Sequence, residues 1–317
     1  MDDKYKILER IDEGSFGDIF TLQTLTGGRV FVLKQISYKG NLLKNEYIIG
    51  EIECLRNLKH DHIIKFEEVY VNSDSVNLIL EYAENGNLEN YLRERFPMKG
   101  IFLRRFSVQI LKAIEFCHSC GIAHRDLTPS NVLITADHVI KLADFGLAVC
   151  VVTCKGEVVL CDDYIGNVPY LAPEVLQEVP YNALMADLWS TGILLYYLLF
   201  GKVLFQGTSE DVLHNSKKVP KLLCSIDTGS FSRTEKNIFG HIQNLLKYLP
   251  KERTPITRLL GTVSDHSDIK MASHQSRGHV CGMIQNMSDH SETKLVTKPS
   301  RDLVCGMVSC DDTLRQV

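Results

Sequence analysis

The sequence lacks the features of secreted, membrane-embedded and nucleic-acid-binding proteins. It starts with Met-Asp-Asp-Lys and leads straight into an alternating apolar pattern, so we expect no secretory signal. Its longest uncharged run, 188–201, is too short to span a bilayer and is interpreted as a buried core helix. A formal net charge of −4 and a pI near 6.3 give no overall basic field. We therefore expect neither nucleic acid nor a membrane as a partner.

The ten cysteines are expected to be reduced thiols rather than a disulfide framework, because nothing in the sequence directs the chain out of the cell. We expect a cytoplasmic location, with the nucleus as an alternative. Cys117 and Cys120 have the spacing of half a metal site, but such sites normally need a second ligand pair, and the end of a helix is the preferred interpretation. With 317 residues, of which 44% are hydrophobic, the chain can bury a substantial core.

One stretch, His-Arg-Asp-Leu-Thr-Pro-Ser-Asn at 124–131, concentrates polar chemistry. It contains Asp126 and Asn131, in a loop whose Pro129 prevents helix formation, and Asp144 opens an Asp-Phe-Gly motif thirteen residues further on. The apolar runs 132–134 and 139–142 predict a hairpin that brings these three polar side chains together. One carboxylate can accept a proton from a hydroxyl, while the other and the amide oxygen suit Mg²⁺. This is equipment for phosphoryl transfer.

At least seven separated motifs, these among them, resemble in order and spacing those of a eukaryotic protein kinase, from about residue 4 to about residue 260. The resemblance is greatest to the serine/threonine branch. It implies an α+β, bilobal protein kinase fold. Residues 4–83 would form a small, mainly β N-lobe with one key helix, and residues 84–260 a larger, mainly α C-lobe.

The resemblance also implies roles for five residues. Asp126 would accept the proton of a substrate hydroxyl, and Asn131 and Asp144 would hold Mg²⁺. Lys34, in Phe-Val-Leu-Lys, would align the α- and β-phosphates of ATP, and Glu51 would pair with Lys34. ATP and Mg²⁺ are therefore the expected cofactors, and a protein is the expected substrate.

The resemblance places further nucleotide contacts in a glycine-rich loop, an apolar adenine pocket and a hinge between the lobes. For the loop taken alone, a simple hairpin turn remains an alternative. Together with Lys34, Glu51 and Asp144, the implied nucleotide-binding residues are Gly14, Ser15, Gly17, Ile19, Val32, Glu81, Ala83 and Leu133.

Three positions depart from the family pattern. Asp12 replaces the usual third glycine of the phosphate loop, Thr128 replaces a lysine that faces the γ-phosphate, and Asn167 replaces a threonine. We expect Asn167 to compensate by hydrogen bonding to Asp126 and Thr128, and Thr128→Lys to raise turnover. These departures support an alternative function, a pseudokinase scaffold that binds nucleotide or partner proteins with little or no catalysis. Retention of Asp126, Lys34, Asn131 and Asp144 favours an active enzyme.

Residues 144–174 resemble an activation segment. Arg125 is the residue that in the family binds a phosphate on this segment, and Asp163 occupies the usual phosphorylated position. We therefore expect Asp163 to supply a permanent carboxylate for Arg125. The alternative is a solvated acidic loop with phosphorylation at Thr153 or Tyr164.

Three structural roles also follow from the resemblance. Glu174 is expected to form a buried ion pair with Arg253, which favours a protein substrate over a small molecule. Asp187 is expected to hold the backbone of the catalytic loop, and His124 to pack beneath that loop.

The composition changes after residue 260. Residues 261–317 contain no Phe, Tyr or Trp and are rich in Ser and His, so this tail is predicted to be disordered. Within it, 277–284 echoes 301–308. The echo is open to interpretation as a duplicated partner-binding peptide, a metal site through His279, Cys281 and Cys305, or a chance product of drift, and plain disorder is preferred to the last two. The sequence does not identify a partner for the tail.

Overall fold

The structure, a computed structural model, describes residues 3–14, 17–40, 42, 45–98, 100–153 and 156–261. Ser15 and the tail from residue 262 lie outside the described residues. The predictions for the phosphate-loop serine, for tail disorder and for the repeated tail segment therefore stay predictions.

The first lobe is a five-stranded antiparallel sheet with one helix. Its strands follow the order β1-β2-β3-β5-β4, and the helix α1 spans Glu46–Asn57. The helix begins where the Asn45 side chain accepts a hydrogen bond from the Ile48 amide. Buried Ile48, Ile52 and Leu55 recur at helical spacing along it. The strands are β1 Tyr5–Gly14, β2 Gly17–Thr24, β3 Val30–Ser37, β4 Phe66–Val71 and β5 Ser75–Glu81.

The second lobe is mainly helical and is built around α5, Ala183–Phe200. This helix is long and apolar enough to cross a membrane by length and composition, but 78% of it is buried inside the protein, as in a core helix. The other helices are α2 Leu88–Arg95, α3 Gly100–Ser119, α4 Pro173–Leu176, α6 Ser209–Ser216, α7 Val219–Cys224, α8 Arg233–Leu245 and α9 Ile256–Gly261.

Two short antiparallel strand pairs lie between the lobes' larger elements. The strand β6, Ile122–Ala123, pairs with β9, Val149–Cys150. The predicted hairpin is present as β7, Val132–Ile134, paired with β8, Ile140–Leu142. The five-stranded sheet of the first lobe and the mainly helical second lobe confirm the expected α+β bilobal fold.

Several boundaries differ from the expected ones. The sequence predicts helices over 209–218 and 235–249. The first is present as α6, and a further helix that was not predicted, α7, follows it with Pro220 in its first turn. The helix α8 begins two residues before the expected 235, because Ser232 and Glu235 form a capping box there. Pro129 does not prevent helical structure in the catalytic loop. It starts a short 3₁₀ turn, Pro129–Asn131, since proline is tolerated at the first helical position.

Candidate active site

The catalytic loop is held by its backbone. The buried carboxylate of Asp187, on α5, accepts hydrogen bonds from the amides of His124 (2.7 Å) and Arg125 (2.9 Å). The His124 ring lies beneath the loop, with Nε2 3.0 Å from the Ala143 carbonyl oxygen and the ring 4.8 Å from that of Phe145. The contacts expected for Asp187 and His124 are therefore present.

Within the loop, Asn131 is joined to Asp126. The Asn131 Nδ2 donates to the Asp126 Oδ2 at 2.8 Å and to the Asp126 carbonyl at 2.9 Å. Both side-chain amide hydrogens of Asn131 are thereby used. The Asn131 Oδ1 remains as an acceptor for a ligand outside these contacts.

Burial raises the pKa of Asp126 above its ordinary value. The charges of Asp144 and Asp187 act in the same direction, and the hydrogen bond from Asn131 and the charge of His124 oppose them. A carboxylate with a raised pKa is a better proton acceptor than an ordinary aspartate.

Lys34 connects the two lobes. Its Nζ lies 2.6 Å from Glu51 Oε1 on α1 and 2.8 Å from Asp144 Oδ1. The Lys34 side chain is 8% exposed and that of Glu51 is 3% exposed. Burial alone would lower the pKa of Lys34, but the charges of Glu51 and Asp144 outweigh it and raise that pKa. The expected Lys34–Glu51 pair is present, and the lysine stays charged.

Asp144 has the donor set of a magnesium ligand. Burial alone would raise the pKa of Asp144, but the charge and hydrogen bond of Lys34 outweigh burial and lower that pKa. Its Oδ1 accepts from Lys34 and, at 3.4 Å, from the Gly146 amide, which leaves Oδ2 for another partner. Together with Asn131 Oδ1 it offers two hard oxygens. Mg²⁺ in phosphoryl-transfer sites typically takes one or two protein carboxylates, with phosphate and water completing its shell, so these residues fit the ion.

Within the described residues, no group of three or more His, Cys, Asp or Glu side chains is placed to hold a metal ion by itself. Cys117 and Cys120 are free thiols, as are the other four cysteines of the described ranges. The half-metal-site interpretation of these two cysteines therefore has no support in the structure.

Gly17, the second glycine of the phosphate-loop motif, lies very close to the neighbouring strand β3. Its φ is +146°, and a Cβ placed there would lie 2.0 Å from the Gln35 carbonyl oxygen. Only glycine fits that approach. Gly14 pairs with Gly17 across the hairpin, and Asp12 lies within β1, opposite Ile19. The pairing register of β1 shifts directly before Asp12, between Arg10 and Asp12, as in a β-bulge.

The adenine-side residues lie on neighbouring strands. In the sheet, Ile19 is opposite Lys34 and Val32 is opposite Leu80, while Leu133 is on β7 beneath. At the hinge, the Glu81 carboxylate is held by the Lys141 Nζ (3.0 Å).

The next hinge residues offer backbone groups. Ala83 accepts from the Gly86 amide at 3.1 Å through its carbonyl, and within the described part of the chain its own amide has no acceptor. A free donor at this position suits a heterocycle with a ring-nitrogen acceptor.

The expectation for Asn167 is wrong. Asn167 is exposed, and among the described residues its side chain forms no hydrogen bond with Asp126 or Thr128. Thr128 instead finds a local partner, Ser130, whose Oγ lies 2.7 Å from the Thr128 Oγ1. Because Ser130 is two residues away in the same loop, it satisfies the buried threonine hydroxyl without a contact from the activation segment.

Two arginines contact the activation segment. The Arg125 Nη1 lies 2.8 and 2.7 Å from the two carboxylate oxygens of Asp163. Arg253 makes a two-pronged pair with Glu174, Nη1 to Oε1 at 2.6 Å and Nη2 to Oε2 at 2.7 Å. The contacts expected of both pairs are present.

Comparisons with known proteins agree with this geometry. A family model described as the protein kinase domain matches residues 5–263. The chain belongs to the protein kinase family. The resemblance to the serine/threonine branch of this family is confirmed as well.

Among curated relatives, NUAK family SNF1-like kinase 2 of Rattus norvegicus is 35% identical over 214 residues, 66% of this kinase chain and 33% of the relative. NUAK family SNF1-like kinase 1 of Homo sapiens is 35% identical over 208 residues, covering 64% and 31%. CBL-interacting protein kinase 10 of Oryza sativa subsp. japonica is 34% identical over 221 residues, covering 69% and 48%. The match spans about a third to a half of the length of these relatives.

Sequence reasoning missed two features of the kinase site. The helix α2 packs against the turn at 129–131, and its signal was available in the Asn87 cap and the spacing of Leu88, Tyr91 and Leu92. The second feature is Tyr181, whose hydroxyl donates to the Asp163 carbonyl at 3.1 Å. No local motif indicates that contact, because it joins two loops through the fold.

Proposed function

We propose that this chain transfers the γ-phosphate of Mg-ATP to serine and threonine hydroxyls of protein substrates. The observation that carries the proposal is the network of polar contacts at the cleft. Lys34 pairs with both Glu51 and Asp144, and Asn131 donates a hydrogen bond to Asp126. A binding scaffold has no chemical need for this combination.

Each residue has a distinct task in the proposed reaction. Asp126 accepts the proton of the attacking hydroxyl and orients that oxygen. Lys34, kept charged and aimed by Glu51, holds the α- and β-phosphates in line. Asn131 and Asp144 would hold magnesium, which would supply positive charge against that of the phosphates. Positioning and electrostatics supply most of the rate.

The nucleotide fits between the lobes in this proposal. The Ala83 amide donates to the adenine ring, the Glu81 backbone lies beside it, and Ile19, Val32 and Leu133 cover its apolar faces. Gly14 and Gly17 approach the phosphates, and a phosphate contact by Ser15 stays a prediction. Compared with a family member that has the usual lysine, Thr128 offers no positive charge at the γ-phosphate, so turnover is expected to be modest.

Two further observations support the substrate class and the cellular compartment. The buried Glu174–Arg253 pair ties down the end of the activation segment, which is the surface a substrate polypeptide would meet. Free thiols at all six described cysteines fit a cytoplasmic location. Signalling is the corresponding cellular role. We propose a protein as the only macromolecular partner of the domain, without nucleic acid or membrane.

The test is phosphate transfer from Mg-ATP to serine, threonine and tyrosine peptides by wild-type protein and by Asp126→Asn. We expect transfer to serine and threonine, loss of about 10²- to 10⁴-fold in the variant, and no transfer when EDTA removes the metal. Asp137→Asn is the matched control, because Asp137 is an exposed acid in the turn between β7 and β8.

Nucleotide binding, followed separately by fluorescence of an ATP analogue, distinguishes the alternative. A wild-type protein that is folded and binds nucleotide but transfers nothing would be a pseudokinase scaffold. Equal rates in wild type and Asp126→Asn would show that the measured transfer comes from a contaminating kinase.

A further inference from the structure

We propose that Asp163 is a positioning residue that takes the place of an activating phosphate and fixes the catalytic loop through Arg125 without any modification. This inference rests on the proposed kinase function, and it concerns how the same site is regulated. It begins from the contacts of Arg125.

Arg125 is buried, with a side chain only 8% exposed. Its Nε donates to the Leu147 carbonyl at 2.7 Å, and its Nη1 donates to both oxygens of Asp163. A guanidinium in such surroundings needs a negative partner, because it cannot lose its charge. Although burial alone opposes it, the charge of Asp163 raises the pKa of Arg125. Asp163 therefore supplies the counter-charge that lets this side chain stay where it is.

The position of Arg125 matters because Asp126 is the next residue. Arg125 has φ +66°, a conformation that residues other than glycine seldom adopt. Its amide is held by Asp187 and its side chain by Asp163. Because the backbone amide and the side chain of Arg125 are both held, its unusual backbone conformation sets the direction of the Asp126 side chain. Removing the Asp163 carboxylate releases the side chain of Arg125.

Asp163 is itself anchored by the second lobe. The Tyr181 hydroxyl donates to the Asp163 carbonyl at 3.1 Å, and Cys161 and Tyr181 exchange two backbone hydrogen bonds of 2.9 and 2.8 Å. At the other end of the segment, β9 pairs with β6, which leads into the catalytic loop. The carboxylate is thus presented to Arg125 by ordered backbone.

The hydroxyls of the two alternative phosphorylation sites contact residues other than Arg125. The Tyr164 hydroxyl is 2.6 Å from Ser209 Oγ on α6, and the Thr153 hydroxyl accepts the Glu157 amide in its own turn. The Arg125 Nη1 is already engaged by Asp163. One carboxylate carries a single charge, against about 1.5 to 2 for a phosphate, so the ordering is weaker but permanent.

The experiment measures kcat and KM for ATP with phosphatase-treated wild type, Asp163→Asn, Asp163→Glu and Asp162→Asn. Asp162 is exposed and adjacent, so Asp162→Asn removes the same charge without touching Arg125. We expect kcat to fall about 100-fold in Asp163→Asn, as for a misplaced catalytic group, with KM for ATP within about twofold. Asp163→Glu is expected to recover most of the lost rate, and Asp162→Asn to behave as wild type.

Hydrogen exchange of residues 124–131 and 156–163, without nucleotide, gives a readout independent of turnover. We expect faster exchange in Asp163→Asn and no change in Asp162→Asn. Wild-type kcat in Asp163→Asn, or unchanged exchange of the catalytic loop in that variant, would overturn the inference while leaving the kinase function intact. A wild-type protein without any transfer would contradict the proposed function instead, and exchange would still decide the role of Asp163.

Discussion

Arg125 and Arg253 form ion pairs with two acids of the same activation segment, but the two pairs differ in how deeply they are buried. At Arg253 the arginine side chain is 0% exposed and Glu174 is 10% exposed. At Arg125 the arginine is 8% exposed, whereas Asp163 is 37% exposed. We call Arg253–Glu174 the sealed pair, because both side chains are buried. We call Arg125–Asp163 the open pair, because its acid is partly exposed to water.

This difference in burial distinguishes a contact that supports the fold from one that supports the active conformation. Arg253 also donates to the carbonyls of Met185 (2.6 Å) and Lys247 (3.0 Å), and its guanidinium lies 5.3 Å from the ring of Trp189. Its position is therefore determined by several parts of the second lobe. Among the described residues, Asp163 is the acid that pairs with Arg125, and Asp163 belongs to a loop. We infer that the sealed pair supports the fold and the open pair supports the active conformation.

The largest expected effect is on stability at the sealed pair. In Glu174→Gln, Arg253 stays buried without its counter-charge, which is expected to lower the free energy of unfolding by about 3 to 5 kcal/mol. Urea denaturation followed by circular dichroism measures the change. Glu252→Gln is the matched control, because Glu252 is exposed and adjacent to Arg253. The control is expected to shift stability by about 0.5 kcal/mol or less. A loss below about 1 kcal/mol in Glu174→Gln would remove the distinction between the two pairs.

A smaller effect on stability is expected at the open pair. In Asp163→Asn, solvent screens the remaining charge of Arg125 from one side, so the free energy of unfolding is expected to fall by about 1 kcal/mol or less. The same denaturation experiment measures it. Raising the salt to 1 M shortens the screening length to about 3 Å and should reduce the difference between wild type and Asp163→Asn. A stability loss as large as that of Glu174→Gln would mean that both pairs are structural.

The sequence predicted these two pairs because the family pattern fixes the spacing of their residues. The same holds for Lys34 and Glu51, which are distant in sequence but lie at matched motif positions. Contacts that depend on local packing were less accessible. Thr128 bonds to Ser130 rather than to Asn167, since the nearer hydroxyl in the same loop satisfies it first.

Secondary structure shows the same division. The helical spacing of apolar residues over 48–58 and over 103–117 predicts α1 and α3, whereas α2 has only two turns and was missed. The short helix α7 was missed as well; it begins after the turn at 217–218, with Pro220 in its first turn. Such short elements carry little periodic signal, so their ends are set by caps and prolines.

The most direct test of the account is the time course of product formation by wild-type protein from which intact mass shows every phosphate to have been removed. If Asp163 already holds the catalytic loop in place, transfer from Mg-ATP to a serine or threonine peptide begins at its full rate without a lag. A lag that shortens as enzyme concentration rises would show activation by self-phosphorylation and contradict the account.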